Sequence, residues 1–243
     1  MKEYSKNYNK FIIFATPRSG THMLRSSLLM HSNIVVHGEV FNHSASAFFP
    51  YGVTDHPEDI LDDHVFHPYS NSVHAVGFPI HDFQYFAKPN KHWLNVWGVL
   101  SEIEDLFVIR LQRRNIAEQF ISNVMAQLTG KWWLYHQKSS KDRQKRIFCK
   151  PHKMMDYFIS LEKVQSKIEP MLSGHRQMTV YYEDICTNFS NEIVRIQEFI
   201  EVDPMDVRPM TSKQDHRKIW DRVENYEELK EFFSNTKYAA FFN

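Results

Sequence analysis

Short runs of β-branched and aromatic residues alternate along the chain with longer stretches in which apolar residues recur every three or four positions. The first run, Lys10 to Thr16 (KFIIFAT), is apolar on consecutive positions, as a strand buried on both faces requires, and Pro17 closes it. From Ser19 onward Met23, Leu24, Leu28 and Leu29 fall at helical spacing, with Asn33 as a stop. Ile34 to His37 predicts a second short strand. Between His43 and Ser72, scattered Pro, Gly, Asp, Ser and His break every period and predict a long irregular excursion. Val73 to Phe78 and Leu106 to Leu111 (LFVIRL) read as further strands. A helix should follow from about Ile116, where Asn115 is placed to cap the free amides and Glu118 to reach back to the Asn115 N–H. Farther on, Tyr157 or Phe158, Leu161, Val164 and Ile168 form a helical stripe. Met178 to Tyr182 reads as a strand, and Ile193, Ile196, Phe199 and Ile200 as another helix.

This order predicts one α/β domain over residues 1–243 with a central, mainly parallel sheet. No repeat, low-complexity tract or linker divides it. At 243 residues, 42% hydrophobic and 24% charged, the chain can bury one sizeable core. Lys+Arg and Asp+Glu balance at 29 each, which excludes a protein held to nucleic acid by bulk charge but leaves room for a local basic pocket. Two isolated cysteines, Cys149 and Cys186, make neither a disulfide framework nor a cysteine-rich zinc site. The apolar run Phe11 to Ala15 is too short for a secretory segment, and no stretch is long enough to span a bilayer, so a cytoplasmic, non-spanning protein is expected.

The densest chemistry lies in Thr16-Pro17-Arg18-Ser19-Gly20-Thr21-His22, between the first strand and the first helix. A turn feeding a helix amino terminus offers unpaired N–H groups and the positive end of the helix dipole, which suits phosphate or sulfate. Gly20 permits close approach, Arg18 brings a permanent charge, and Ser19 and Thr21 bring hydroxyls. A Walker loop would need Gly at Ala15 and Lys at Thr21; without that lysine, ATP hydrolysis is disfavoured while anion binding is not.

FATPRSGTHML, followed by VVHGEVFN, resembles the start of the sulfotransferases that use 3′-phosphoadenosine 5′-phosphosulfate, and is most similar to the bacterial branch acting on carbohydrates and glycolipids. The resemblance implies a P-loop NTPase-like three-layer sandwich, with Arg18, Ser19, Gly20, Thr21 and His22 holding the 5′-phosphosulfate. It also implies an arginine and a serine eight residues apart for the 3′-phosphate, matched by Arg114 and Ser122, with Arg113 as an alternative to Arg114. VYYEDI and TSKQDHRKIWDRVENYEEL are similar to the closing segments of the same family, from which Lys213 is carried over as a nucleotide contact. The likeness touches the first 42 residues, about 20 in the middle and much of the last 65.

Sulfuryl transfer rests on positioning and charge stabilisation, so Arg18 and the helix amides suffice and no metal is required. Glu39, in HGEVFN, matches the glutamate base of the resembling branch, and His37 competes because other members use a histidine. His64 and His67 lack a third ligand for a metal. Where relatives commonly have a lysine this chain has Pro79, which leaves acceptor preference open: carbohydrate or glycolipid hydroxyls come first, with a small-molecule alcohol or a protein tyrosine as alternatives. Trp132 and Trp133 offer faces for stacking a sugar or the adenine. Two other readings stand beside the transferase: a nucleotide kinase or NTPase, and a non-catalytic module that binds a phosphorylated nucleotide.

Overall fold

The computed structural model describes residues 3–42, 56–82, 95–130, 132, 145–211 and 217–242. Its main sheet has five parallel strands: β2 (Asn9–Ala15), β3 (Ile34–Val36), β5 (Ala75–His81), β6 (Phe107–Gln112) and β7 (Arg176–Tyr181). They lie in the order β3-β5-β2-β6-β7, and a small antiparallel ribbon pairs β1 (Tyr4–Ser5) with β4 (Tyr69–Ser70). The chain therefore leaves β2 toward one edge and resumes on its other side with β6. The carboxyl end of β2 is the switch point at which open α/β sheets bind ligands.

β2 is apolar on consecutive positions because both of its faces are covered. Ile12 and Phe14 join a core with α3 (Val96–Ser101) and the later half of α5 (Pro151–Leu172). Phe11, Ile13 and Ala15 join the opposite core with α1 (Thr21–Leu28) and α7 (Phe189–Phe199). These are the three layers. A third cluster packs α4 (Ile116–Thr129), the first half of α5, α9 (Tyr226–Phe233) and the closing turn Ala239–Phe242 around Phe158 and Phe233. The described part of the expected irregular excursion is more regular than its composition suggests. Residues Pro57–Ile60 form α2, Leu61–Val65 continue it as a wider turn, and Ile60, Leu61, Val65 and Phe66 are buried; residues 43–55 of that excursion lie outside the described residues.

Several boundaries differ from the expected ones, among them the strand expected over Met178 to Tyr182, which runs from Arg176 to Tyr181 with Tyr182 opening the next helix; two others have local reasons. α1 begins at Thr21 rather than Ser19 because Gly20 takes a left-handed conformation, φ 93°. β5 runs past Phe78, through Pro79, to His81. Gly77 turns its carbonyl toward the β3 side, where it accepts from the His37 N–H at 2.8 Å. Two residues on, Pro79 faces that same side after β3 has ended at Val36, so the amide it lacks breaks no ladder bond.

Asn115 caps α4 as its sequence predicts, accepting from the Glu118 N–H at 3.0 Å. The reciprocal half of the expected capping box is absent, because the Glu118 carboxylate is taken by Arg113 and Arg222. The Asn115 amide instead donates to the Phe241 carbonyl at 3.1 Å, tying the last turn of the chain to α4. Asn115→Ala should lower unfolding stability by about 1–2 kcal/mol, read by urea denaturation, since one cap and one stitch disappear together.

Candidate functional site

Thr16 to Gly20 join β2 to α1 at the switch point, and the Leu24 N–H already donates to the Gly20 carbonyl at 3.1 Å. A Cβ on Gly20 would stand 2.5 Å from Cδ2 of Tyr182, the first residue of α6 (Tyr182–Thr187), so the ring packs directly on the turn. Arg18 also takes positive φ, 71°, which for a residue with a side chain costs about 1–2 kcal/mol. α4 holds the turn in that shape. Gln119, buried, donates from Nε2 to the Pro17 carbonyl and to Ser19 Oγ, both at 2.8 Å, and Arg113 Nη1 donates to the Arg18 carbonyl at 3.4 Å.

What the turn leaves unspent fits an anion. α1 has no side-chain cap and no acidic residue in its first turn. Thr21 Oγ1 is buried and has no hydrogen-bond partner among the described residues, a costly state for a hydroxyl unless a ligand completes it. Backbone amides, hydroxyl and dipole point the same way.

Arg18 reaches across to α4, where its Nε donates to Ser122 Oγ at 3.1 Å and its Nη1 to the Trp132 carbonyl. Burial, with Arg113 nearby, pushes its pKa down to about 10, which still leaves it charged at neutral pH. The fold thus unites two residues 104 positions apart that the sequence assigned to opposite ends of one nucleotide. Arg113 and Arg114 part company. Arg113 is almost buried, lies over the Tyr182 ring at 4.9 Å, and pairs with Glu118 at 3.2 Å and Glu183 at 3.8 Å. Arg114 turns to the surface, gives both Nη groups to Asp184 at 2.6 and 2.7 Å, and stacks over Tyr181 at 4.0 Å. Of the two, Arg113 touches the turn. Trp132 is part-exposed beside Arg18; Trp133 and Lys213 lie outside the described residues.

Glu39 follows β3 and meets His81, the last residue of β5, at 3.1 Å; Asn42 Nδ2 donates to its other oxygen at 2.5 Å. The second ring nitrogen of His81, Nδ1, lies 3.1 Å from the Ala15 carbonyl. A carbonyl and a carboxylate both accept, so both ring nitrogens carry protons and His81 is an imidazolium. Burial opposes that charge, but the Glu39 hydrogen bond and the charges of Glu39 and Asp82 outweigh it and raise the His81 pKa. Burial likewise works against the Glu39 charge, and the hydrogen bonds from His81 and Asn42 overcome it, holding its pKa at about 2. His22, in the first turn of α1, is pulled below its ordinary pKa by burial, against the opposing charge of Glu39.

His37 has a different environment. Its Nε2 lies 2.8 Å from Tyr69 Oη, and that hydroxyl donates to the Val65 carbonyl at 3.0 Å, so the His37 Nε2 bears the proton and donates. Burial, then the neighbouring His67 and Arg25, lowers its pKa to about 4, and the ring is neutral. Between the two candidate bases, the carboxylate stays ionised and the imidazole nitrogen facing Tyr69 is already protonated.

His81, Gln119 and Arg222 had no place in the sequence-based site. The signal for His81 was its location: a polar residue ending the strand that pairs with β2 in parallel must stand beside Ala15, and the register sets Ala15 opposite His81. Among the described residues, no group of three or more His, Cys, Asp or Glu side chains is arranged to hold a metal ion. No described helix is long and apolar enough to cross a membrane.

No protein-family model matches the chain. It is 25% identical to nodulation protein H of Rhizobium tropici over 239 residues, covering 96% of this chain and 92% of that protein. It is also 25% identical to nodulation protein H of Rhizobium meliloti strain 1021, covering 96% and 94%. Among solved structures, a sulfotransferase from Alicyclobacillus acidocaldarius is similar with a TM-score of 0.49 and 14% identity, covering 93% of this chain and 91% of that one.

The ion pair gives a pH signature. Because the Glu39 pKa is depressed from 4.5 to about 2, its contribution to stability is full above about pH 4.5 and disappears as pH falls toward 2. The His81 pKa is raised, so its contribution is full below about pH 6.5 and declines as pH rises through the folded value. Denaturation of wild type and Glu39→Gln side by side should show a stability gap that is widest between these limits and narrows in acid. A gap constant from pH 7 to pH 2.5 would contradict the pairing.

Proposed function

We propose that the chain, 25% identical to nodulation protein H along nearly its whole length, is an enzyme of the sulfotransferase type that moves a sulfuryl group from 3′-phosphoadenosine 5′-phosphosulfate to an acceptor hydroxyl, with Glu39 as the general base. The observation that carries this reading is the path Glu39–His81–Ala15: one imidazolium fixes the carboxylate to the last residue before the anion-binding turn. Base and turn stand at the ends of β3 and β2, and the end of β5, which carries His81, lies between them.

In this reading Ser19, Gly20, Thr21 and His22 receive the 5′-phosphosulfate on the amides of α1, and the unpartnered Thr21 hydroxyl gains its missing bond. Arg18 offsets charge on the transferring group and on the departing phosphate, so the reading calls on no metal ion. Ser122 and the arginine pair take the 3′-phosphate. Arg113 is the favoured member because it already contacts the Arg18 carbonyl, whereas Arg114 turns to the surface; both are paired with carboxylates, Arg113 with Glu118 and Glu183 and Arg114 with Asp184. Lys213 is carried over as a further nucleotide contact from the resemblance alone. The sulfuryl donor supplies SO3 and leaves as 3′-phosphoadenosine 5′-phosphate. An acceptor O–S bond forms, the S–O bond to the 5′-phosphate breaks, and the acceptor proton passes to Glu39.

A carboxylate held at about pKa 2 is a weak base toward a resting hydroxyl. It takes the proton late, once O–S bonding has made that proton acidic, and it is ionised at every physiological pH. Carbohydrate or glycolipid hydroxyls are the proposed acceptors, with small-molecule alcohols as the alternative class. The two free cysteines, Cys149 and Cys186, suit the reducing cytoplasm.

Glu39→Gln should lower kcat by about 10²–10⁴-fold while leaving affinity for 3′-phosphoadenosine 5′-phosphate within about twofold of wild type, since that variant keeps the turn intact. Turnover is read by transfer of labelled sulfate to a sugar and glycolipid acceptor panel; unchanged turnover removes Glu39 as base.

Arg18→Ala and Ser122→Ala should each weaken binding of 3′-phosphoadenosine 5′-phosphate by about tenfold or more in calorimetry, the loss of a charge-assisted contact in a largely buried site. Full affinity in both would dismantle the two-phosphate arrangement.

A further inference from the structure

We propose that Glu118 and Arg222 are positioning residues for the sulfuryl donor: together they set Arg113, and through Arg113 the Arg18 turn. This rests on the reading of the turn as the donor site. Glu118 Oε2 receives Arg113 Nη2 at 3.2 Å and also Arg222 Nη2, so one carboxylate oxygen serves two guanidinium groups. Both arginine side chains are almost fully enclosed, at 8% and 4% exposure, and Glu118 is 20% exposed. Arg113 then donates to the Arg18 carbonyl, the residue whose positive φ needs outside support. Arg222 belongs to α8 (Ile219–Arg222), in the late segment that resembles the closing region of the sulfotransferases. The chain's last quarter thereby reaches the donor turn through one carboxylate.

Arg113 Nε and Arg222 Nε are buried without hydrogen-bond partners among the described residues, although Glu183 lies 3.8 Å from the former. Unspent guanidinium donors suit an anionic ligand, and removal of Glu118 would set Arg113 and Arg222 against each other.

Calorimetric titration of the full chain with 3′-phosphoadenosine 5′-phosphate, alongside kcat at saturating sulfuryl donor, tests the assignment. Arg222→Met and Glu118→Gln should each raise Kd by about tenfold and lower kcat at saturating donor as well, since the Arg18 turn that they set serves both, and Arg222→Lys should fall between Arg222→Met and wild type. Unchanged Kd in folded Arg222→Met overturns the proposal, as does a fall in Tm and kcat at constant Kd, which would mark a purely structural bridge. If Arg222→Met does not fold, Arg222→Lys decides, and wild-type Kd in it overturns the proposal. Failure of wild type to bind this nucleotide would instead remove the donor reading on which the proposal rests.

Discussion

The end of β2 at Ala15 is the constraint from which the rest of the site follows. Parallel pairing on both sides places His81 and Leu111 level with Ala15, so two further strands finish at the same height. The Ala15 carbonyl accepts from His81, and the next residues turn into α1. One backbone position thereby fixes the direction of the turn into α1 and the place of the imidazolium that orients Glu39. Neither would be set by local sequence, because the turn is a strained loop and Glu39 follows a three-residue strand at the sheet edge.

Buried charge would be expected to destabilise this region, and the fold answers by pairing nearly every ion. His81 is neutralised by Glu39, Arg113 by Glu118 and Glu183, and Arg222 by Glu118. Such pairs add little net stability, since the desolvation they incur offsets their attraction. What they confer is geometry: each guanidinium or imidazolium has one low-energy position. These fixed charges sit beside the first turn of α1, which has no side-chain cap and no acidic residue of its own.

The sheet was legible in the sequence because its signal is local. KFIIFAT and LFVIRL announce themselves by continuous apolarity, and the Asn115 cap by residue type and spacing. The place of the turn between β2 and α1 was legible for the same reason, since contiguous residues define the strand and the helix. Long-range contacts were not. Nothing in the sequence pairs Arg18 with Ser122 or Glu118 with Arg222, since those contacts exist only after α4 and the late segment pack against the turn. The capping-box reading of Glu118 shows the limit plainly. The spacing was right for a local bond, yet two distant arginines compete for the carboxylate and win, because charge-assisted bonds outweigh one backbone N–H.

The strength of Glu39 as the proposed base follows from the same packing. A free carboxylate near the surface would be a better proton acceptor, but it would also rotate and hydrate. His81 and Asn42 hold both oxygens, which lowers basicity and fixes orientation together. For a group transfer in which the leaving phosphate is already stable and the acceptor proton becomes acidic only as the new bond forms, orientation is the scarcer quantity. In the proposed transfer the imidazolium has a second effect: a proton taken by Glu39 would leave the His81 charge without its partner, and its return to solvent would restore the pair. The strand-end histidine would then tie recovery of the proposed base to the same ion pair that holds it in place.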